Sequence, residues 1–190
     1  FIFLSLLLNI VVLAQNTRQY PFHITAGYSY YNQYRNANWK GGEESGIWLQ
    51  MGYFVAKRTF VGMEFENGVY KLLANYLTQT SLPKYEYVYE NLFKVIGKYR
   101  IIDQERINVD MGSGLLFKLA TKDYFKPVFL FSGIGYEREL EYNHKFGMPF
   151  FGEIKYDCTK RIIVGLRLSH NLIFKERDLY SFGLIGGIKF

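Results

Sequence analysis

Apolar and polar residues alternate at period two along most of this chain, and the alternation predicts β-strands. The clearest case is the final segment, YSFGLIGGIKF, in which every second position is apolar or glycine up to the last residue. This pattern is typical of a strand with one apolar face. The predicted strands cover residues 20–31, 46–56, 59–71, 85–100, 106–118, 148–158, 161–173 and 180–190.

The order of long and short connections predicts how these strands are joined. Long polar segments follow the first and third strands, whereas short turns follow the second and fourth. A chain that ends on an exposed aromatic strand suits a barrel whose sheet must close against lipid. We therefore expect an all-β fold: a single antiparallel transmembrane β-barrel with loops at one end and turns at the other.

A further apolar run at residues 128–136 raises the number of candidate strands to nine. A single-chain bacterial barrel with both ends on one side of the membrane needs an even number. We expect eight strands, with 119–145 as one long external excursion and 128–136 as an extension of the barrel wall or a hairpin arm. A ten-strand barrel with one cryptic strand is the alternative.

The N-terminal segment, residues 1–14, is an uncharged apolar run of the length of a signal-peptide core. We expect cleavage between Ala14 and Gln15, which leaves 15–190 as the barrel, and we expect the beginning of the signal peptide to be missing. A retained N-terminal membrane anchor is the alternative, although the run is short for a bilayer span.

The composition agrees with a membrane barrel and excludes other classes. The chain has 17 Tyr and 17 Phe, which suits lipid-facing strands and interfacial girdles. Its net charge of +6 is spread without a basic run, so we expect no nucleic-acid partner; lipopolysaccharide phosphate is the expected anionic partner. Cys158, the single cysteine, is expected to be a lipid-facing thiol. His23 and His144 are not spaced as metal ligands, and we expect no metal and no cofactor.

The polar faces of the predicted strands carry nearly balanced charges. The interior of an eight-stranded barrel is just wide enough to be filled by side chains. We therefore expect a cross-braced lumen without an open channel, and a narrow channel is the second alternative for function. The acids are Glu64, Glu66, Glu86, Glu90, Asp110, Glu153 and Asp157, and the bases are Lys94, Lys98, Lys118, Lys155, Arg167 and Lys189.

Four segments carry a family resemblance: the signal-like FIFLSLLLNIVVLAQ, the opening HITAGYSYY, the hairpin IWLQMGYFVAKRTFVGMEFE and the closing FGLIGGIKF. The chain resembles the small outer-membrane β-barrel proteins of Bacteroidetes-type bacteria and the OmpA/OmpX-like barrels. The resemblance implies the outer membrane of a Gram-negative bacterium and a monomer. It also implies that the barrel assembly machinery reads the last strand, through Tyr180, Phe182, Leu184, Ile188 and Phe190.

A lipid-modifying enzyme is the first alternative. Small outer-membrane barrels include lipid A deacylases of the PagL type, and the resemblance to them lies in LRLSHNLIFKERD, residues 166–178. It implies Ser169 as nucleophile, His170 as base and Glu176 as orienting acid. Ser169 and His170 are adjacent, however, and adjacent strand residues point to opposite faces. The two side chains are therefore not expected to form a hydrogen bond.

A structural or surface-interaction role is the function that we expect, with the external segments as the binding region. These segments are 32–45, 72–84, 119–145 and 173–178. Loops held by a rigid scaffold commonly carry recognition. Aromatic contacts are expected from Trp39, Tyr76, Tyr124 and Phe125, and contacts to phosphate or acidic sugars from Arg35, Lys40, Lys122, Lys126 and Lys175.

Overall fold

The alternating segments form eight antiparallel strands in the computed structural model, which describes residues 21–33, 41–73, 85–130, 133–174 and 178–190. Each strand pairs with the next, and the last pairs with the first, so the sheet closes into a barrel. This confirms the predicted eight-stranded all-β barrel over the alternative with ten strands. The strands are β1 (Phe22–Gln33), β2 (Gly41–Phe54), β3 (Thr59–Leu73), β4 (Tyr85–Asp103), β5 (Ile107–Leu130), β6 (Gly133–Asp157), β7 (Ile162–Ile173) and β8 (Leu179–Lys189).

The segment 119–145 is not an irregular loop. β5 and β6 pair in one register from Ile107 opposite Tyr156 to Leu130 opposite Gly133, with a short gap after Ser113 opposite Phe150. The last pair of β6 with β7 is Gly147 with Ile173, so β6 continues past its neighbour. We call residues 119–130 and 133–145 the arm. The described residues of the run 128–136 lie at its end and extend the wall, because the pairing of β5 with β6 continues to Leu130 and Gly133.

The two ends of the barrel differ. Residues 55–58, 104–106 and 158–161 form short turns at one end, which we call the turn side, and the longer connections lie at the other, the loop side. The prediction that Cys158 carries a lipid-facing thiol was wrong. β6 ends at Asp157, and Cys158 is exposed in the turn that follows. Within the ranges that the structure describes, no helix is long and apolar enough to cross a membrane.

Side chains alternate between the outside and the inside of the barrel, as strand geometry requires. The outward faces are apolar and exposed, and they form the belt that would face lipid. Representative belt residues are Ile47, Met63, Val95, Leu115, Ile154, Leu166, Leu168 and Leu184. The inward faces are buried, and many of them are polar or charged. This arrangement is apolar outside and polar inside, which is the inverse of a water-soluble protein.

Two apolar clusters also lie inside the barrel, where the sequence predicted only charge. The loop-side cluster consists of Tyr31, Leu92, Leu116, Ile173 and Leu179. The turn-side cluster consists of Phe54, Phe60, Ile96 and Phe151. Along the inward face of β4, buried charged and apolar residues alternate in the order Glu90, Leu92, Lys94, Ile96 and Lys98, and Arg100 adds a second charge at the turn side. The filling of the lumen is therefore layered.

Candidate functional site

Glu64 is the centre of the charge network inside the barrel. The alternation of β3 turns its side chain inward, where it is buried. Arg167 donates to both of its carboxylate oxygens, at 2.5 Å from Nη1 and 3.1 Å from Nη2. Lys94 Nζ lies 2.9 Å from Oε1, and Gln50 Nε2 donates to Oε2 at 2.8 Å. One carboxylate thus joins β2, β3, β4 and β7 across the lumen.

The network continues toward the loop side through Glu66. Lys94 and the Tyr31 hydroxyl both donate to Glu66, which carries the polar network up to the loop-side cluster. On the other side of Glu64, the Arg167 guanidinium lies 4.3 Å from the centre of the Phe151 ring and 4.9 Å from that of Trp48. A guanidinium between aromatic faces is stabilised by cation–π attraction and keeps its charge.

A second group of ion pairs lies toward the turn side, around Glu153. Lys98 Nζ is 2.8 Å and Lys155 Nζ 2.9 Å from Glu153 Oε2. Lys155 also pairs with Asp110, and Arg100 Nε lies 2.8 Å from Asp110 Oδ1. Acids and bases therefore alternate in space, and each buried charge has an opposite charge beside it.

The remaining residues expected in the lumen lie at its two ends. Lys118 pairs with Glu90 near the loop side, and both are buried. Lys189 Nζ lies 2.6 Å from Asp157 Oδ2 at the turn side, where both side chains are partly exposed. The side chain of Glu86 lies outside the described residues. Sequence reasoning missed Arg100, although it continues the period-two series of Lys94 and Lys98.

This lumen is a packed interior and not a lined path. The side chains of Glu64, Lys94, Glu153 and Arg167 have between 0 and 3% of their surface exposed. Buried ion pairs hold their partners at fixed distances, because separating them leaves an unpaired charge in a medium of low polarity. The central charged side chains therefore pack directly against one another inside the barrel.

The histidines do not form a metal site. His23 lies inside the barrel with its ring 4.9 Å from that of Phe54, edge to face. His144 is exposed on the arm. Among the residues whose placement is described, no group of three or more His, Cys, Asp or Glu side chains could hold a metal ion.

The three residues of the deacylase alternative are not brought together. Ser169 faces the lumen, where its Oγ lies 2.5 Å from that of Ser181. His170 faces outward and stacks on Tyr180, with ring centres 4.2 Å apart. Its Nε2 lies 3.1 Å from Asp178 Oδ2, although not in line for a hydrogen bond. Glu176 lies outside the described residues, and Asp178, which the sequence did not single out, is the acid beside His170.

The arm has an ion pair on its outer face. Arg138 donates to Asp123 twice, from Nε at 2.8 Å and from Nη2 at 2.6 Å. These hydrogen bonds hold the pKa of the Asp123 carboxyl below its usual range. Closer to the belt, Leu140, Tyr142 and Phe146 are exposed on the same face. The pair joins β5, which still pairs with β4 at Asp123, to β6, which has no neighbour on its other side at Arg138.

We expect the Asp123–Arg138 pair to weaken in acid. Because the carboxyl pKa is lower in the folded state than its unfolded value of about 3.9, the pair stabilises the arm above that pH. This contribution is lost as the pH falls through the folded pKa. A carbon-detected NMR titration measures the pKa of the Asp123 carboxyl. Arg138→Gln should raise the pKa, whereas Arg106→Gln, at the turn side, should leave it unchanged; equal shifts would contradict the assignment.

The other expected contact residues are only partly described. Lys122 Nζ lies 4.6 Å from the centre of the Tyr124 ring on the arm. Phe125 is half-buried there. Trp39, Tyr76, Arg35, Lys40 and Lys175, together with the side chain of Lys126, lie outside the described residues, as does the segment 1–14. The predictions about them therefore stay predictions.

The C-terminal strand closes the barrel with its apolar face outward. Tyr180, Phe182, Leu184, Ile188 and Phe190 are all exposed. The backbone of Phe190 exchanges two hydrogen bonds with that of Phe22, at 2.8 and 3.2 Å. These residues are accessible on the belt, and their recognition by an assembly machinery stays a prediction.

Comparison with known proteins identifies the fold. The outer membrane protein OprG from Pseudomonas aeruginosa superposes with a TM-score of 0.59 at 9% identity, covering 90% of this chain and 96% of that one. Neisserial surface protein A gives 0.57 at 13%, covering 88% and 95%. Ail, the attachment invasion locus protein of Yersinia pestis, gives 0.52 at 12%, covering 91% and 100%. The fold is that of small outer-membrane β-barrels.

Sequence comparison adds no closer relative. No protein-family model matches the chain, and no curated protein matches it. At such low identity the structural likeness establishes the architecture, and function has to be argued from the residues.

Proposed function

We propose that this protein is a closed outer-membrane scaffold that presents the arm and the neighbouring loops for contact with molecules outside the cell. The observation that carries the proposal is the filled lumen, in which ion-paired layers alternate with two apolar clusters. A barrel filled in this way has no evident route for a solute. Its membership of the Bacteroidetes-type or OmpA/OmpX-like small barrels, argued from HITAGYSYY and FGLIGGIKF, is part of the proposal.

The layered filling disfavours conduction for two separate reasons. Ions would have to displace partners from Glu64 and Glu153, whose oxygens are engaged at hydrogen-bond distance by lysine and arginine. Water would also have to wet Leu92, Leu116 and Ile173 on the loop side and Phe54 and Phe60 on the turn side. Each obstacle by itself would hinder the passage of a solute, and a solute would have to pass both of them in turn.

The arm supports a contact role because it projects beyond the barrel as an ordered surface. From residue 145 to residue 133, β6 has no pairing with β7. At about 3.3 Å per residue this is roughly 45 Å of strand. The β5 ladder and the Asp123–Arg138 pair keep it extended. A rigid surface loses less entropy on binding than a flexible loop does, which favours recognition.

The location and partners form part of the same proposal. The belt of outward apolar residues requires lipid around the barrel. With the beginning of β1 and the end of β8 on the turn side, the loop side would face outward and contact lipopolysaccharide. Assembly would be through the machinery that reads C-terminal aromatic strands, and the barrel would function as a monomer.

The decisive experiment is a planar-bilayer measurement on the intact chain and on an arm-shortened variant. Asp123 and Leu140 lie opposite each other, so an Asn-Gly turn in place of 124–139 closes the hairpin in register. We expect no current steps from either protein, because the seal lies inside the barrel and not in the arm.

An open porin in the same membrane serves as the positive control for this measurement. Steady steps from the intact chain would overturn the closed scaffold. Steps from the shortened variant alone would make the arm a plug, which contradicts its role as a display surface. Retained heat-modifiable mobility of the shortened variant is the check that its barrel has folded.

A further inference from the structure

We propose that a groove on the outer wall, between β5 and β8 on the loop side, holds one acyl chain of a lipid A molecule. This inference rests on the proposed outer-membrane location. The groove has a volume of about 630 Å³ and crosses β6 and β7. That volume lies in the range of specific small-molecule sites, about 300–1,000 Å³.

Gly152 makes the groove. It lies on the outward face of β6, directly opposite Met111 on β5 and Leu168 on β7. A Cβ added to Gly152 would meet no atom within 4 Å, so crowding does not require glycine there. The missing side chain leaves a depression among the large apolar side chains of Met111, Phe150, Leu168 and Phe182.

The walls of the groove are apolar and belong to the belt. Met111, Phe150, Leu168 and Phe182 face outward around the depression, and all four are exposed. Tyr30 closes it from β1. Because this surface is continuous with the lipid-facing belt, its natural occupant is a hydrocarbon chain and not a water-soluble ligand.

The loop-side end of the groove is polar. His170 and Tyr180 stack there, and Asp178 lies 3.1 Å from His170 Nε2. Along β7, His170 follows Leu168 toward the loop side, so the groove passes from apolar to polar toward the membrane surface. A lipid has the same order, with its chain toward the membrane centre and its headgroup at the surface. On the loop side of an outer membrane that lipid is lipopolysaccharide.

The test is retention of lipid by Gly152→Phe, which places a ring in the groove. Gly186→Phe is the matched control, since Gly186 is an exposed outward glycine of β8, a Cβ there also meets nothing within 4 Å, and it is not a wall of the groove. The intact chain and both variants are refolded in phosphatidylethanolamine nanodiscs containing hexa-acylated lipid A, transferred to detergent, and analysed for retained lipid by native mass spectrometry.

We expect the intact chain and Gly186→Phe to retain lipid A, and Gly152→Phe to retain about tenfold less, equivalent to about 1.4 kcal/mol. Equal retention by all three proteins would overturn the proposal, as would retention of phosphatidylethanolamine in place of lipid A. If Gly152→Phe does not fold, Met111→Trp fills the groove from the opposite wall and gives the same comparison.

Two separate measurements test the groove and the outer-membrane location. Membrane fractionation of cells that express the intact chain tests the location directly, whereas the nanodisc assay depends only on the groove. A chain found outside the outer membrane would remove the proposed function even if lipid A were retained in nanodiscs. A chain found in the outer membrane without selective retention would remove the groove assignment alone.

Discussion

Glu64→Ala is expected to lower the free energy of unfolding by about 3–5 kcal/mol, the loss typical of breaking a buried ion pair from one side. The substitution removes the carboxylate that receives two hydrogen bonds from Arg167 and one each from Lys94 and Gln50. Arg167 then remains charged and buried, with Glu153 Oε1 3.6 Å away as its remaining acidic neighbour among the described ion pairs. Urea unfolding in lipid vesicles, followed by tryptophan fluorescence, measures the loss.

Asp123→Ala is the matched control for Glu64→Ala. It also removes a carboxylate bonded twice by an arginine, but Arg138 is mostly exposed, so water replaces the partner. An exposed pair contributes about 0–1 kcal/mol. If the two substitutions lower the free energy of unfolding by the same amount, the lumen is hydrated, and the argument for a sealed barrel fails.

Leu184→Arg is expected to cost about 2–4 kcal/mol of folding free energy in a bilayer, the value for a cation on the lipid face at mid-depth. Leu184 is exposed near the middle of β8, between β7 and β1. The cost arises because the guanidinium has to enter hydrocarbon or distort the bilayer to reach water. The measurement is the same urea titration in vesicles.

Tyr142→Arg provides the comparison for Leu184→Arg. Tyr142 is 75% exposed, but it lies on the arm, beyond the last β6–β7 pair. Near or outside the interface the cost falls to about 0–1 kcal/mol. Similar costs at the two positions would mean that the belt around Leu184 does not face lipid, and they would contradict the transmembrane assignment.

The sequence predicts which face of each strand points into the lumen, because successive side chains alternate between the two faces. A shift of one residue would move every apolar side chain from the lipid to the lumen, so the pattern allows one assignment. The assignments of Glu64, Lys94 and Arg167 to the inside follow from that parity, and the structure buries all three. Their pairing was not predictable. Glu64 and Arg167 lie on β3 and β7, which are not neighbours, so the contact depends on the closure of the barrel and not on any register visible along the chain.

The apolar clusters were missed and the arm was predicted only in part, as an extension of the wall or a hairpin arm at 128–136, for different reasons. Where apolar residues are adjacent, as in Leu92-Phe93 and Leu115-Leu116, both faces look alike and alternation carries no information about the inside. The arm contains Pro127 and the glycines at 133 and 135, which are loop signals in isolation. Pairing between β5 and β6 overrides these local preferences. Asp178 beside His170 was missed because it lies just before β8, outside any periodic segment.

The span of the central ion pair along the chain has a consequence for the order of assembly. Glu64 and Lys94 are 30 positions apart and belong to one hairpin, so they can pair early and enter the membrane together. Arg167 is 103 positions from Glu64. Contacts of such long range form late and slowly, since the intervening chain has to be ordered first. Lys94 lies between two acids, Glu64 and Glu66, so one negative charge stays unbalanced until β7 brings in Arg167. We therefore expect the rate at which the barrel closes to depend on Arg167. The formation of the β3–β4 hairpin should not depend on it.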